Sequence, residues 1–333
     1  MKNRIFIGAV GAIIVALMTS TAFAADLVVY DALDFTGGVV KAFEAKTGLT
    51  VDVVEPGSTG ETLGKIAAEG NNPQFDLVWL DGSAVMERMA SDGVLQAVPD
   101  DVFAGIKFTD FGKTLVPASK AYVPTGASTT AIEVNTKKVP ADKMPKSWAD
   151  LANFAGSVAA KDPNLSGPAY QWLAGFFQTN GLDAGKKLLA DMLTSKALSG
   201  LSSGGKVNAA VLTGDASVGI NQDSAIYSQI AAGEPLVAVY PTEGSVALPE
   251  GLGISAKTQH IDAIKKFVAF IASPEGQAAM QDGPDTDFFF IPIVDGVTPK
   301  AVRPDINYIQ LDDKTASAHE TEWKQWYKDN FVP

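Results

Sequence analysis

Apolar residues in this chain fall into short continuous runs, and between the runs they recur at helical spacing. Residues 27–31 form a run suited to a strand covered on both faces. Thr36-Gly37-Gly38 then opens an amphipathic segment carrying Val39, Val40 and Phe43, which stops at Thr47-Gly48. The unit repeats: a strand over 49–55, a helix over 59–70 with Leu63, Ile66 and Ala67 inward, a strand over 75–80, and a helix from Ser83 to Ala90. After an extended, Pro- and Thr-containing stretch at 116–135, the pattern resumes. It predicts a helix from Ser147-Trp148, a strand over 156–160, a helix capped by Ser166 with Pro168 early in it, and a helix over 183–193. A strand over 216–220, a helix from 221–224 to Ile230 and a strand over 236–240 follow. The chain then recrosses at 241–245, forms helices over 261–272 and from Ser273, and ends in a helix over 315–330. The apolar stretch 286–293, with three consecutive Phe, reads as a second recrossing.

Repeated strand–helix units predict an α/β protein with mostly parallel sheets flanked by helices. The recrossings predict two lobes joined by a hinge of crossing strands. The expected division is 25–123 with about 241–287 in one lobe, and 124–240 with about 288–333 in the other. In such sheets ligands bind beyond the carboxyl ends of the strands.

The first 24 residues have a different texture. Lys2 and Arg4 precede an apolar run from Ile5 to Met18, and Ala22-Phe23-Ala24 is a small-x-small site. That pattern predicts a secretory signal peptide cleaved after Ala24, and hence an exported, periplasmic chain. Losing the two basic residues takes the net charge from −12 to −14. Nucleic acid and anionic membranes are therefore not expected partners, and any anion site must work locally. Cysteine is absent, which excludes thiol nucleophiles and thiolate metal sites. Both histidines, His260 and His319, fall on polar helical stretches and read as surface residues.

The chemistry-bearing stretch is 53–63. It reads as strand, sharp turn and capped helix, with Gly57, Ser58, Thr59, Gly60 and Glu61 at the corner. Helix starts present unpaired N–H groups and the positive end of the dipole, so this corner can hold a phosphate, phosphonate or carboxylate. A plain capped turn fits the same residues. Two more loops fall at strand ends, Asp34 to Gly37 and Asp81-Gly82-Ser83, and the second half repeats the design at Ser166-Gly167. The resulting candidate lining is Asp34, Thr36, Ser58, Thr59, Gly60, Glu61, Asp81, Gly82, Ser83, Ser128, Thr129, Ser166, Gly167, Tyr170, Gln222, Asp223 and Tyr227. Its hydroxyls suit a phosphoryl or phosphonyl group, its acids an ammonium or sugar hydroxyls, although helix capping also explains Asp at such positions. Tyr227 is the best aromatic candidate for stacking on a ligand, whereas Trp79 reads as core. Gly200-Leu201-Ser202-Ser203-Gly204-Gly205-Lys206 has P-loop spacing, but Val207 stands where Ser or Thr holds Mg²⁺, so the segment reads as a loop lending Ser203 or Lys206 to the cleft. Neither histidine is placed as a base and there is no His-x-x-x-His pair, so no enzymatic activity is expected. No cofactor and no bound metal are expected either. A secreted phosphate-ester hydrolase is the enzymatic alternative.

The mature region resembles extracellular solute-binding proteins of ABC importers, the bilobal ferric-ion-binding-like family. The resemblance is carried by the 42–48 segment AFEAKTG, by Phe75-Asp76-Leu77-Val78, and by Tyr240-Pro241-Thr242-Glu243-Gly244. It is carried further by 263–268 leading into Ser273-Pro274-Glu275-Gly276-Gln277. It implies a two-lobed type II periplasmic-binding-protein fold, capture of a solute between the lobes, and delivery to a membrane permease by a monomer. Iron-binding members use a consecutive Tyr pair, whereas here the corresponding region reads Asn221-Gln222-Asp223-Ser224-Ala225-Ile226-Tyr227. Ferric binding is thus an alternative that would draw on Tyr170, Tyr227, Asp81 and Asp223. Relatives that take up 2-aminoethylphosphonate or hexose phosphates fit the lining better.

Overall fold

A computed structural model describes residues 25–33 and 35–333. The expected signal peptide and Asp34 lie outside the described residues. The first half runs β1 (Leu27–Asp31), α1 (Thr36–Thr47), β2 (Val51–Val54), α2 (Thr59–Glu69), β3 (Leu77–Asp81) and α3 (Ser83–Ser91). It continues through β4 (Leu95–Gln96), α4 (Asp100–Phe103) and α5 (Asp110–Thr114) into a long strand, β5 (Val123–Asn135). Then come α6 (Trp148–Ala152), β6 (Val158–Ala160), α7 (Gly167–Asn180), α8 (Leu182–Met192), α9 (Lys196–Ser199) and α10 (Gly204–Thr213). β7 (Val218–Gln222), α11 (Asp223–Ala231), β8 (Leu236–Val239) and a second long strand, β9 (Ser245–Ser255), follow. The chain closes with α12 (Ile261–Ile271), α13 (Pro274–Met280), β10 (Tyr308–Ile309) and α14 (Asp313–Phe331).

The strand order is β2-β1-β3-β9-β5-β7-β6. β1 pairs in parallel with β2 and β3, and β6 with β7. β3–β9, β9–β5 and β5–β7 are antiparallel. β5 and β9 are buried along their whole length. β9 pairs with β3 through Glu250–Ile254 and with β5 through Ala247–Leu252, and β5 pairs with β7 through Thr130–Val134, so together the two strands join the β1–β3 sheet to the β6–β8 sheet. These two strands are the crossings between the lobes. The register of β5 shifts between Pro124 and Gly126, since Pro124 lacks the N–H that a regular ladder needs.

Each lobe has its own apolar core. In the first, Phe43 packs edge-on against Phe267 with centroids 5.0 Å apart, and Phe35 against Trp79 at 4.9 Å. Such pairs add about 0.5–1.5 kcal/mol each beyond area burial. Trp79 is fully buried and its indole N–H donates to Thr125 Oγ1 at 2.9 Å, so it is core as expected. In the second lobe, Trp148, Trp172, Phe176 and Phe177 meet Trp323 of α14. α14 also returns to the first lobe, where Arg88 of α3 donates to Glu320 at 3.2 Å.

Two expectations need correction. The 286–293 stretch is not a recrossing strand. It makes one short 3₁₀ turn at Asp287–Phe289 and a single bridge from Ile291 to Ala127, because Phe288, Phe289 and Phe290 are all drawn into the first core. The P-loop-like segment is not wholly loop: Ser203 caps α10, accepting from Lys206 N at 3.3 Å, so the helix begins at Gly204.

Candidate functional site

A cleft of about 630 Å³ opens between the two lobes. That is the size of a site for a small organic molecule. Three helix starts line it. α2 contributes Ser58 and Thr59, α7 contributes Ser166 and Gly167, and α10 contributes Ser203, Gly204 and Gly205.

Each start is built by its own cap. Ser58 accepts from Glu61 N while the Glu61 carboxylate takes Ser58 N at 2.8 Å, a complete capping box. Gly57 precedes it at φ 121, a conformation that side chains avoid. Ser166 Oγ accepts from Ala169 N, and Pro168 has no N–H to satisfy. The α10 start is pinned from below: Asn221 Nδ2 donates to Gly204 O at 3.1 Å, to Asn208 Oδ1 at 2.9 Å and to Glu133 Oε2 at 3.0 Å. In all three helices the amides of the first two positions have no intrahelical carbonyl to reach. Thr59 and Gly60, Gly167, and Gly204 and Gly205 hold these positions.

The floor is a polar chain that crosses from one lobe to the other. Thr59 Oγ1 donates to Asp81 Oδ1 at 3.1 Å, and Gln222 Nε2 reaches Asp81 Oδ2 at 3.4 Å and Ser128 Oγ at 3.2 Å. Lys161 Nζ donates to Gln222 Oε1 at 2.6 Å. Lys161 follows β6 and bridges to Leu201, which sets it between the starts of α7 and α10. Burial pulls its ammonium down to about 8, with Asp81 and Asp287 opposing. Burial also raises the Asp81 carboxyl, against the Lys161 charge and the Thr59 and Gln222 hydrogen bonds.

The first-lobe wall is acidic, with Asp31, Glu55, Asp285 and Asp287 on the cleft. Asp31 is fully buried, accepts from Thr36 Oγ1 and from Leu33 N, and is driven well above the usual carboxylate range by burial, with Asp287 and Glu55 adding to the shift.

Of the residues expected from sequence, Ser58, Thr59, Asp81, Ser166, Gly167 and Gln222 come together on this cleft. The other described ones do not line it. Thr36 is spent on Asp31, Glu61 on its capping box, and Ser128 on Gln222. Gly60 faces the 164–165 backbone across a narrow seam. Gly82 packs on Val85 and Gln171, and Ser83 binds Gln171 Oε1 and Asp313. Thr129 gives its N–H to Asp223 Oδ1 at 3.1 Å and its hydroxyl to Val246 O. Tyr170 is buried with its hydroxyl on Ala316 O. Tyr227 lies under the Arg303 guanidinium at 4.9 Å, and that guanidinium holds Asp223 at 2.6 Å, with Tyr240 also on Asp223. The residues for the ferric alternative therefore do not converge: Tyr170, Tyr227 and Asp81 sit in three separate surroundings, and an internal cation already satisfies Asp223. Gly57 lines the cleft as part of the expected corner, and of the two residues expected from the 200–206 segment Ser203 lines it, with Ser202, Gly204 and Gly205, whereas Lys206 does not; Asp31, Glu55, Lys161, Asp285 and Asp287 were not expected there. Lys161 and Asp31 each sit at the end of a predicted strand, the one sequence signal that points to them. The acids at 285–287 carry no motif.

The comparisons with known proteins agree with this geometry. The family model described as bacterial extracellular solute-binding protein matches residues 33–278. An uncharacterised protein of Haemophilus influenzae is 30% identical over 246 residues, covering 71% of this chain and 69% of that protein. Among solved structures, the periplasmic binding protein AfuA from Actinobacillus pleuropneumoniae, with exogenous fructose 6-phosphate bound, superposes with TM-score 0.78 at 24% identity, over 92% of this chain and 98% of that one. Iron-bound HitA from Pseudomonas aeruginosa gives 0.76 at 21%, over 90% and 98%. These likenesses establish the fold. With two lobes, two crossing strands and a cleft between them, the chain belongs to the bacterial extracellular solute-binding protein family, the binding components of ABC importers.

Proposed function

We propose that this protein captures a small organophosphorus anion in the interlobe cleft and presents it to an ABC permease in the inner membrane. The reading takes it as a monomeric periplasmic protein, exported by its N-terminal segment. The observation that carries it is the convergence of three capped helix starts, α2, α7 and α10, on one cleft. Their first amides and flanking hydroxyls match an oxyanion with three oxygens. The acids at Asp31, Glu55, Asp285 and Asp287 face the same space and match a tail bearing hydroxyls or an ammonium. 2-Aminoethylphosphonate and sugar phosphates both have this two-ended chemistry, and AfuA, of similar fold, holds fructose 6-phosphate. Contacts to both lobes favour the closed arrangement, which is how a ligand shifts a two-state hinge.

Calorimetric titration of the purified protein tests this. The panel is 2-aminoethylphosphonate, glucose 6-phosphate, fructose 6-phosphate, inorganic phosphate, ferric citrate and putrescine. The expected result is tight binding of one organophosphorus compound, recovered chemically unchanged. Binding of ferric citrate or putrescine alone overturns the reading, and turnover of a phosphate ester replaces it with a hydrolase.

A further inference from the structure

Lys161 is 6% exposed, yet its side chain lines the cleft. Lys46, Lys113 and Lys187, by contrast, are well exposed and matched with exposed acids. Burying an ammonium costs several kcal/mol unless charges and hydrogen bonds compensate it. Around Lys161 the compensation is partial. Its hydrogen bond among the described residues goes to a neutral group, Gln222 Oε1. The Gln222 amide cannot turn over, because its Nε2 donates to Asp81 and Ser128 and so its oxygen must face the lysine. Asp81 pulls on the ammonium electrostatically, but both its oxygens already accept hydrogen bonds, one from Thr59 and one from Gln222. Asp287 acts from the first-lobe wall. A lysine has three N–H donors. This one is held by its neighbours between two helix starts, and it is the one cation lining the cleft among the described residues.

We propose that Lys161 is the ligand-binding charge of the cleft and that it makes the cleft select a dianionic phosphoryl or phosphonyl group over a carboxylate of the same size. This rests on the organophosphorus reading above and deepens it. A phosphonate brings up to two charges and three oxygens, enough to meet the ammonium and the amides at Gly167 and Gly204-Gly205 together. A carboxylate brings one charge and two coplanar oxygens, and it leaves one of these donor groups unanswered. In a cleft with an acidic opposite wall, only the oxyanion that uses the lysine fully gains enough to enter this end.

The test compares matched probes by calorimetry: 2-aminoethylphosphonate with β-alanine, and glucose 6-phosphate with glucuronate. Wild type is expected to prefer the phosphorus member of the pair it binds. Lys161→Met is expected to weaken that member by about 10- to 100-fold, the range of a hydrogen bond to a charged group. It should weaken the carboxylate much less, so the preference shrinks. Lys161→Arg, which keeps the charge, should retain part of the preference. A misplaced helix or a loosened lobe would weaken both members alike. If folded K161M binds the phosphorus probe as wild type does, or if wild type binds both members equally, the role of Lys161 is overturned while the organophosphorus reading stands. If wild type binds no phosphorus probe, the reading fails and this inference with it. Should K161M not fold, as judged by its thermal unfolding, Lys161→Gln carries the same comparison.

Discussion

Gly167 offers a direct test of closure. It is the first residue of α7, in the second lobe, and a Cβ placed on it would lie 2.9 Å from Asp81 O and 3.3 Å from Thr59 Oγ1. Both neighbours belong to the first lobe, at the end of β3 and the start of α2. The nearer one is a backbone carbonyl, which cannot swing aside as a flexible side chain would. Gly167→Ala therefore forces the two lobes apart by a few tenths of an ångström while leaving each lobe's own packing alone. Its backbone conformation is one that alanine accepts. Overpacking of this kind costs about 1–3 kcal/mol. Because the strain exists only when the lobes meet, it falls on the closed state alone and lowers affinity by about 5- to 150-fold. The assay is calorimetry with whichever panel compound binds, together with small-angle scattering with and without it. The expected pattern is weaker binding and less compaction, with the unfolding transition of the ligand-free protein near that of wild type. Gly37→Ala, where a Cβ meets nothing within 4 Å, is the control and should bind as wild type. If G167A binds within twofold of wild type and compacts equally, the bound state does not bring Gly167 against Asp81, and the closure argument is wrong.

Further outcomes follow from the buried charges. Asp223 and Arg303 are both buried and paired at 2.6 Å, and they tie α11 to the segment that carries the acidic wall. Arg303→Met alone leaves a carboxylate without its countercharge and should cost about 3–5 kcal/mol in denaturant unfolding. The double variant with Asp223→Leu should be less damaging than the sum, and strict additivity would remove the pair from the account of stability. Glu133 is pushed up to about 7 by burial, with the Asn221 hydrogen bond opposing. Its folded pKa lies above the unfolded 4.5, so the native state binds more protons in that window and stability falls as pH rises from about 4.5 to 7. Glu133→Gln should flatten this slope and raise the unfolding temperature at pH 8. An unchanged pH profile would mean that the carboxyl is not held neutral.

The alternation of strands and amphipathic helices was legible because its causes are local. The Ser58–Glu61 capping box, the Ser166 cap with Pro168, and the Thr47-Gly48 stop each act within a few residues, and each helix forms where its signal stands. The first crossing, β5, was also legible, since an extended stretch with Pro and Thr does not fit a helix, whereas the second was expected at 241–245 and runs instead as β9 over Ser245–Ser255. Part of the cleft could also be named, because Ser58, Thr59 and Ser166-Gly167 are helix starts, and helix starts follow strand ends. What sequence could not supply is which polar groups are consumed by one another. Thr36, Ser128 and Thr129 have the right chemistry, but Asp31, Gln222 and the Val246 carbonyl use it up, through contacts between residues up to 117 positions apart. Lys161 carries no motif at all. Only the bridge from Lys161 to Leu201, which brings the α7 and α10 starts to either side of it, turns an ordinary lysine into a buried charge. Local propensity decides where elements begin and end. The ionic character of the cleft depends on desolvation and on long-range pairing, and these exist only once the two lobes have packed.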